Sequence, residues 1–243
     1  MRIQLKFSAK NNKLPLDYRR VFLSYFKYSL SQIANGKYYE KYYFPKNRRP
    51  FTFALRLPKA DFLCDGITLD ENEFTLTFST GDSMAGFVFM SAFIAQKGKS
   101  FRAPFENAYL LQSVVQLPER TVTSDTAIVK MLSPLCLRDH DKENNRDIYY
   151  SSASENFPEH ASRILAQQLI ADGFSEDMAC SLRIVPVKCK KTVVKHYNCS
   201  IECTLGEFAI NTDKSVINYL LQFGIGSRKS AGFGLAELVA EGN

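Results

Sequence analysis

The chain has 243 residues, 45% of them hydrophobic, which is enough for one large domain or two small domains with separate cores. No segment approaches the run of about 18 apolar residues that spans a membrane, and no signal-peptide core follows Met1, so we expect a cytoplasmic protein. The six cysteines contain no CxxC pair and the three histidines are widely spaced. The sequence therefore predicts no metal site, no cofactor and no disulfide framework.

Positive charge is concentrated at the start of the chain, although the formal net charge is only +6. Residues 1–60 contain fourteen Lys and Arg against two acidic residues, a net of +12. Residues 61–180 contain nine against eighteen, a net of −9, and residues 181–243 contain eight against five, a net of +3. A basic surface on one side of the protein is therefore predicted, and a polyanion is the expected partner.

Hydrophobic periodicity predicts a βαββαβ order in the first half of the chain. The predicted elements are a strand at Ile3–Phe7, a helix at Asp17–Ile33 stopped by Asn35-Gly36, strands at Phe51–Leu57 and Phe74–Phe78, a helix at Met84–Lys97 and a strand at Tyr109–Leu117.

The second half repeats this order. The predicted elements are a strand at Ala127–Leu132, a helix at Pro158–Ala171, a hairpin of Leu182–Lys188 with Val193–Leu205, a helix opened by Asp213 and a strand at Leu235–Val239. We expect the polar insert Arg138–Ser154 to be a loop, with His140 solvated. The fold class predicted is α+β, with tandem ferredoxin-like domains at residues 1–120 and 121–243 and two antiparallel sheets.

A glycine-rich loop lies between the last predicted helix and strand. Its four glycines permit positive φ and close backbone approach, and two cations lie at its centre; the residues are Gly224, Gly226, Arg228, Lys229, Gly232 and Gly234. The order helix, loop, strand excludes a Walker loop and a dinucleotide fingerprint, which run from strand to helix. The loop is predicted to bind phosphate, and the alternative is a turn with two solvated cations.

Aromatic and cationic residues are interleaved in Ser31–Arg49. The aromatic residues are Tyr38, Tyr39, Tyr42 and Tyr43, and the cations are Lys37, Lys41, Lys46, Arg48 and Arg49. Bases stack on rings while cations neutralise phosphates, so this segment is predicted to bind single-stranded RNA; alternatively, the rings pack beneath a loop. The cations at the predicted hairpin turn, Lys188, Lys190 and Lys191, are expected either to contact an RNA stem or to solubilise the turn.

The pattern glycine-hydrophobic-glycine, five residues, glycine-hydrophobic-glycine at 224–234 resembles the C-terminal signature of the RAMP superfamily of CRISPR-associated proteins. With Leu14–Tyr18, Pro50–Phe53 and Leu132–Leu135 in register, the chain looks most like family six, the endoribonuclease that cuts CRISPR repeat RNA. The resemblance implies metal-independent attack by a 2′-hydroxyl, giving 2′,3′-cyclic phosphate and 5′-hydroxyl ends. It also implies CRISPR repeat RNA or precursor guide RNA as the partner, other Cas effector subunits as further partners, and a monomer or homodimer.

The resembled family often supplies a histidine in the loop after the first helix, but Gly36–Pro50 contains none. We therefore expect Tyr39, Tyr43 and Lys46 to catalyse slow cleavage, because tyrosine and lysine titrate near 10 rather than near 7. The alternative is an RNA-binding protein that does not cleave and caps guide RNA in an effector complex. His196 is a possible substitute, although a histidine on a polar strand face is usually solvated. A metal-dependent nuclease is disfavoured because residues 1–60 hold only two carboxylates.

Overall fold

The computed structural model describes residues 1–44, 48–141, 143–197 and 199–242. Contacts divide the chain into two compact units, residues 1–119 with 195–198, and residues 120–194 with 199–243. Within the described residues, no helix is both long and apolar enough to cross a membrane.

The first unit contains eight strands and three α-helices within its described residues. In chain order they are β1 (Arg2–Ala9), β2 (Lys13–Leu14), α1 (Tyr18–Ser31), α2 (Lys37–Tyr43), β3 (Thr52–Arg56), β4 (Ala60–Phe62), β5 (Ile67–Leu69), β6 (Glu73–Ser79), α3 (Ser83–Ile94), β7 (Ser100–Ala103) and β8 (Asn107–Leu117). A 3-10 turn at Ala34–Gly36 separates α1 from α2.

The main sheet of this unit is antiparallel, in the order β3-β6-β1-β8-β7. Its first four strands have the ferredoxin-like arrangement that the sequence predicts. The short strand β7 extends the edge, and β2, β5 and β4 form a separate small sheet that the periodicity did not predict.

Aromatic residues fill the core between the main sheet and its helices. Alternation along β1 buries Ile3, Leu5 and Phe7 completely, and β1 pairs with β6 so that Phe7 lies opposite Phe74. The Phe22 ring on α1 packs edge-on against Phe7, with ring centroids 5.6 Å apart. Full burial of such a side chain stabilises the fold by about 1.5–3 kcal/mol.

The second unit contains the remaining strands and α-helices of the described residues, except that the last two residues of β12 belong to the first unit. In chain order they are β9 (Thr126–Met131), β10 (Leu137–Asp141), β11 (Arg146–Tyr150), α4 (Phe157–Ala171), α5 (Glu176–Ser181), β12 (Arg183–His196), β13 (Cys199–Asn211), α6 (Lys214–Phe223) and β14 (Ala236–Glu241). The sheet order is β12-β13-β9-β14, and β10 pairs with β11 as a separate hairpin. Asp213 caps α6 as predicted, because its side chain accepts a hydrogen bond from the Ser215 amide at 2.8 Å. The tandem ferredoxin-like fold class is thus confirmed.

Two predicted loops are wrong. The insert Arg138–Ser154 contains the β10–β11 hairpin, whose register runs from Leu137 opposite Tyr150 to Asp141 opposite Arg146. The segment after α1 is not a continuous loop, because α2 begins at Lys37; Gly36, at φ +79°, precedes this helix and does not end α1.

The predicted hairpin turn is also wrong. Lys188, Lys190 and Lys191 lie within β12, which continues to His196. Gly206 on β13, at φ +139°, leaves no room for a side chain, since a Cβ there would lie 2.1 Å from the Lys188 carbonyl oxygen. The lysine-rich run 188–191 looks like a turn in the sequence, but the strand continues through it.

Candidate nucleic-acid interface

The helix α2 brings together the tyrosines that were predicted to bind RNA. Tyr39 and Tyr43 are four residues apart and therefore lie on one helix face; their rings stack with centroids 5.6 Å apart and planes inclined by 19°. Both rings are half-buried against the core of the first unit, whereas Tyr42 is buried. The tyrosines thus pack on the core as well as bordering the surface.

Cations surround the Tyr43 ring. The Arg49 guanidinium carbon lies 4.5 Å from the ring centroid, and the Lys27 ammonium nitrogen lies 5.2 Å from it. Arg49 is fixed by a 3.1 Å hydrogen bond from its Nε to the Tyr42 carbonyl. Lys37, Lys41 and Arg48 are exposed. Lys46 lies outside the described residues, so the structure does not place this proposed catalytic group.

Burial changes the chemistry expected of Tyr43. Its hydroxyl is buried and has no hydrogen-bond partner among the described residues. Desolvation raises the pKa of Tyr43 above its ordinary value, although the Arg49 charge opposes the shift. Tyr43 is therefore protonated at neutral pH and is a poor proton acceptor.

His196 is buried, contrary to the expectation that it is solvated. Its side chain is 1% exposed, and its Nδ1 lies 2.9 Å from Oδ1 of Asp17. The other Asp17 oxygen accepts a 3.0 Å hydrogen bond from the Tyr197 amide. The Arg20 guanidinium lies 4.8 Å from the centre of the Tyr197 ring. All four residues belong to the first unit, where His196 holds the residues around it in place and its ring is closed to solvent.

The glycine loop, residues 224–234, has the backbone geometry that its spacing predicts. All four glycines have positive φ, as does Arg228. A Cβ on Gly226 would lie 2.6 Å from the Cys136 carbonyl oxygen, and one on Gly234 would lie 2.0 Å from the Ile225 carbonyl oxygen. At these two positions only glycine satisfies both the conformation and the space.

Several backbone amides in the glycine loop and at the residue after it donate hydrogen bonds to other parts of the protein. The Ser227 amide donates to the Cys136 carbonyl at 2.7 Å, and the Gly234 amide donates to the Pro134 carbonyl at 2.9 Å. The Leu235 amide donates to Oγ of Ser133 at 2.9 Å. Two of the sequence motifs, the glycine loop and Leu132–Leu135, are thus joined by hydrogen bonds.

The two cations of the glycine loop have acidic or phenolic neighbours. Nη2 of Arg228 donates to the Tyr149 hydroxyl at 2.7 Å and lies 3.4 Å from Oδ2 of Asp147. The Lys229 ammonium nitrogen lies 3.7 Å from Oδ2 of Asp172, and its side chain is only 18% exposed. These cations help to hold the loop, and any phosphate must compete with or join these contacts.

The lysines on β12 form a separate cationic surface. Lys188, Lys190 and Lys191 are exposed, and the Lys191 ammonium nitrogen lies 2.6 Å from Oε2 of Glu202. Over the described ranges, no group of three or more His, Cys, Asp or Glu side chains is arranged to hold a metal ion.

A family model described as CRISPR associated protein Cas6, C-terminal, matches residues 117–238, just over half of the chain. The chain belongs to the Cas6 family. The matched region includes the glycine loop and the Leu132–Leu135 motif that bonds to it, so the contacts and the family assignment concern the same residues. No curated protein sequence matches the chain significantly.

Solved structures of Cas6 and RAMP proteins share the fold over nearly the whole chain. A RAMP protein binding different RNA substrates has a TM-score of 0.79 at 19% identity, covering 99% of this chain and 100% of its own. A Cas6-related protein from Pyrococcus furiosus has a TM-score of 0.79 at 16% identity, covering 100% and 99%. A Cas6 product complex has a TM-score of 0.72 at 16% identity, covering 98% and 99%. At these identities the similarity establishes the fold.

Sequence reasoning missed the residues that bond to the cations of the Cas6 glycine loop. Asp147 and Tyr149 lie in the insert that was expected to be a loop, and Asp172 follows α4. The run of one β-branched and two aromatic residues in Ile148–Tyr150 was a signal for a strand. Nothing local indicated that Asp147 would meet Arg228, 81 residues away.

Proposed function

We propose that this member of the Cas6 family binds CRISPR repeat RNA and cleaves it without a metal ion. In this reaction a ribose 2′-hydroxyl attacks the adjacent phosphate, and the products carry a 2′,3′-cyclic phosphate and a 5′-hydroxyl. The observation that carries the proposal is the match of the Cas6 C-terminal family model to residues 117–238.

The charge distribution supports RNA as the ligand. Residues 1–60 have a net charge of +12, and Lys37, Lys41 and Arg48 are exposed on or just after α2. The half-buried Tyr39 ring, backed by Tyr43, provides a rigid aromatic group beside these cations. Such a surface neutralises phosphates and stacks bases without requiring a particular sequence.

The proposed catalytic set of Tyr39, Tyr43 and Lys46 is narrowed by the burial of Tyr43. With a raised pKa and a buried hydroxyl, Tyr43 is assigned to holding Tyr39 in position. Tyr39 and Lys46 are kept as candidates for contact with the RNA phosphates, with lysine as the cation. No residue of segment 36–50 is then left to accept the proton of the 2′-hydroxyl.

A second candidate function is RNA binding without cleavage, as in a subunit that caps guide RNA. The absence of histidine from Gly36–Pro50 favours it, because a general base works best when it titrates near the operating pH.

The decisive experiment uses end-labelled repeat RNA in buffer with EDTA. We expect salt-sensitive binding and products with 2′,3′-cyclic phosphate and 5′-hydroxyl ends. Cleavage that stops in EDTA contradicts the proposed mechanism. Binding without products supports the second candidate, and equal affinity for unrelated RNA contradicts both.

A further inference from the structure

One face of the β10–β11 hairpin carries a cluster of polar side chains. In the antiparallel register His140 lies opposite Asp147, and Arg138 lies opposite Tyr149. Since side chains alternate along a strand, these four residues share a face. Asp139 takes the opposite face, where it pairs with Arg163 of α4 at 2.6 Å.

Asp147 is the centre of this cluster. Its Oδ1 lies 2.9 Å from Nδ1 of His140, and its Oδ2 lies 3.2 Å from Nη1 of Arg138. The Tyr149 hydroxyl donates to Oδ2 at 3.2 Å, and Nη2 of Arg228 lies 3.4 Å from the same oxygen. One carboxylate thus faces two guanidinium groups, so the cluster has a net positive charge and suits an anion.

The cluster is joined to the glycine loop. Arg228 belongs to the loop, and the Arg138 backbone amide donates to Oγ of Ser227 at 3.3 Å. The Ser227 hydroxyl also accepts a 3.0 Å hydrogen bond from Nε2 of Gln168 on α4. The arginines are therefore held by a packed scaffold within the second unit.

Hydrogen bonding to Asp147 orients the His140 ring. Although partial desolvation opposes the shift, hydrogen bonds from His140 and Arg138 hold the pKa of Asp147 below its usual value. Burial raises the pKa of Tyr149, which keeps its hydroxyl protonated. Asp141, which follows His140 in the chain, accepts a 2.7 Å hydrogen bond from Nδ2 of Asn144. Because Asp147 faces Nδ1 as a hydrogen-bond acceptor, Nε2 is the ring nitrogen of His140 that is left for contact with a ligand.

The three histidines of the chain differ in access. His196 is closed to solvent, and the His160 ring stacks on Tyr150 with centroids 4.1 Å apart. The His140 side chain is 44% exposed, and its Nε2 has no hydrogen-bond partner in the described part of the chain. His140 alone among them combines an orienting carboxylate, two neighbouring arginines and an accessible nitrogen.

We propose that His140 is the general base of RNA cleavage, with Asp147 as its positioning residue and Arg138 and Arg228 as the cations for the scissile phosphate. The inference rests on the proposed function and moves the proton acceptor from segment 36–50 to the second unit. The 2′-oxygen forms a bond to phosphorus while its proton passes to Nε2 of His140. The P–O5′ bond breaks, the 5′-oxygen takes a proton from water, and the imidazolium returns its proton to the hydroxide left behind.

The first test compares His140→Gln with the matched control His160→Gln on end-labelled repeat RNA in EDTA. We expect His140→Gln to lower the single-turnover rate by about 10²–10⁴-fold, with RNA affinity close to that of the parent. His160→Gln should keep the parent rate. Equal rates for the parent and His140→Gln overturn the inference and leave the proposed function standing. A parent that binds repeat RNA without cutting it overturns both the inference and the proposed cleavage, and favours the second candidate function. A parent without preference for repeat RNA contradicts both candidate functions.

The second test asks whether Asp147 acts through His140. Asp147→Asn should lower the rate and move the acid limb of the pH–rate profile to lower pH, because the lost carboxylate no longer favours the protonated imidazole. Asp139→Asn removes an ion pair from the other face of the hairpin and is the control. A uniform loss of rate with an unchanged pH profile contradicts the positioning role. If Asp147→Asn fails to fold, as judged by circular dichroism, the histidine pair still decides the inference.

Discussion

Nδ1 of His196 lies 2.9 Å from Oδ1 of Asp17, although the two residues are separated by 179 positions in the sequence. Asp17 directly precedes α1, yet its side chain makes no capping hydrogen bond to that helix. Its two oxygens instead accept from the His196 ring and the Tyr197 amide. Asp17, which directly precedes a helix, is thus a half-buried acceptor for residues 196 and 197.

We expect Asp17→Ala to destabilise the first unit, because the His196 ring and the Tyr197 amide lose their acceptor. Leaving a buried donor unsatisfied costs about 1–3 kcal/mol. Chemical denaturation of the variant and of Asp61→Ala, which removes an exposed acid on β4, measures the difference. The control should change the free energy of unfolding by no more than about 0.5 kcal/mol. Equal values for the two variants contradict the role of Asp17 as the acceptor for the buried His196 ring.

Local signals predicted the elements that have a single strong periodicity. Alternation in Ile3–Phe7 became β1, and the spacing of Val216, Ile217, Leu220 and Leu221 became the buried face of α6. The four-residue strand β7 lacks enough residues for a period to emerge. The turn between β12 and β13 was misplaced because the charged run 188–191 resembles a turn, whereas β12 continues through it to His196.

Of the candidate site, only the glycine loop could be predicted from the sequence, because its backbone conformation requires a particular residue type. The spacing of four glycines indicated the loop because positive φ and close approach both select glycine. The carboxylates that pair with Arg228, Lys229 and His196 lie between 57 and 179 positions away in the sequence. Such pairings depend on tertiary packing, which no local pattern reports.

Tyr42 should make stability depend on pH in the alkaline range. Burial, followed by the charge of Asp82, raises the pKa of Tyr42 to about 12. A raised folded-state pKa contributes stability that is fully present below about pH 10 and is lost as the pH rises toward 12. The free energy of unfolding of Tyr42→Phe should therefore fall less than that of the parent between these values. Tyr28→Phe, at a ring 41% exposed, should follow the parent curve; a Tyr42→Phe curve parallel to the parent contradicts the prediction.

Alanine substitutions at two glycines with the same φ distinguish the cost of backbone strain from the cost of a steric clash. Gly98 and Gly234 both have φ +76°, but a Cβ at Gly98 meets no atom within 4 Å, whereas one at Gly234 would lie 2.0 Å from the Ile225 carbonyl oxygen. Gly98→Ala should cost about 1–2 kcal/mol for the left-handed conformation. Gly234→Ala should cost more, because the backbone must also move. Thermal and chemical unfolding of both variants measures the difference, and equal losses contradict the packing of the glycine loop.

Cleavage should require the 2′-hydroxyl next to the scissile phosphate. An RNA with a 2′-deoxy nucleotide at that position lacks the nucleophile, so we expect binding to persist while product formation stops. Lys46→Ala tests the candidate catalytic lysine of segment 36–50 on the all-RNA substrate. A lysine that meets charge developed in the transition state lowers the rate more than the affinity. Cleavage of the deoxy substrate contradicts the proposed reaction, and an equal loss of rate and affinity assigns Lys46 to binding.

The salt dependence of RNA binding should locate the phosphate contacts on α2. The parent should show a slope of log affinity against log salt steeper than about −2, and each lost phosphate contact on single-stranded RNA reduces its magnitude by about 0.7. The double variant Lys37→Ala with Lys41→Ala removes two exposed cations of α2. Lys97→Ala with Lys99→Ala removes the same charge from the exposed turn after α3 and serves as the control. We expect the α2 pair to reduce the slope by about 1.4 and the control pair to leave it unchanged. Equal slopes for the two pairs show that net charge alone attracts the RNA and contradict a specific contact surface on α2.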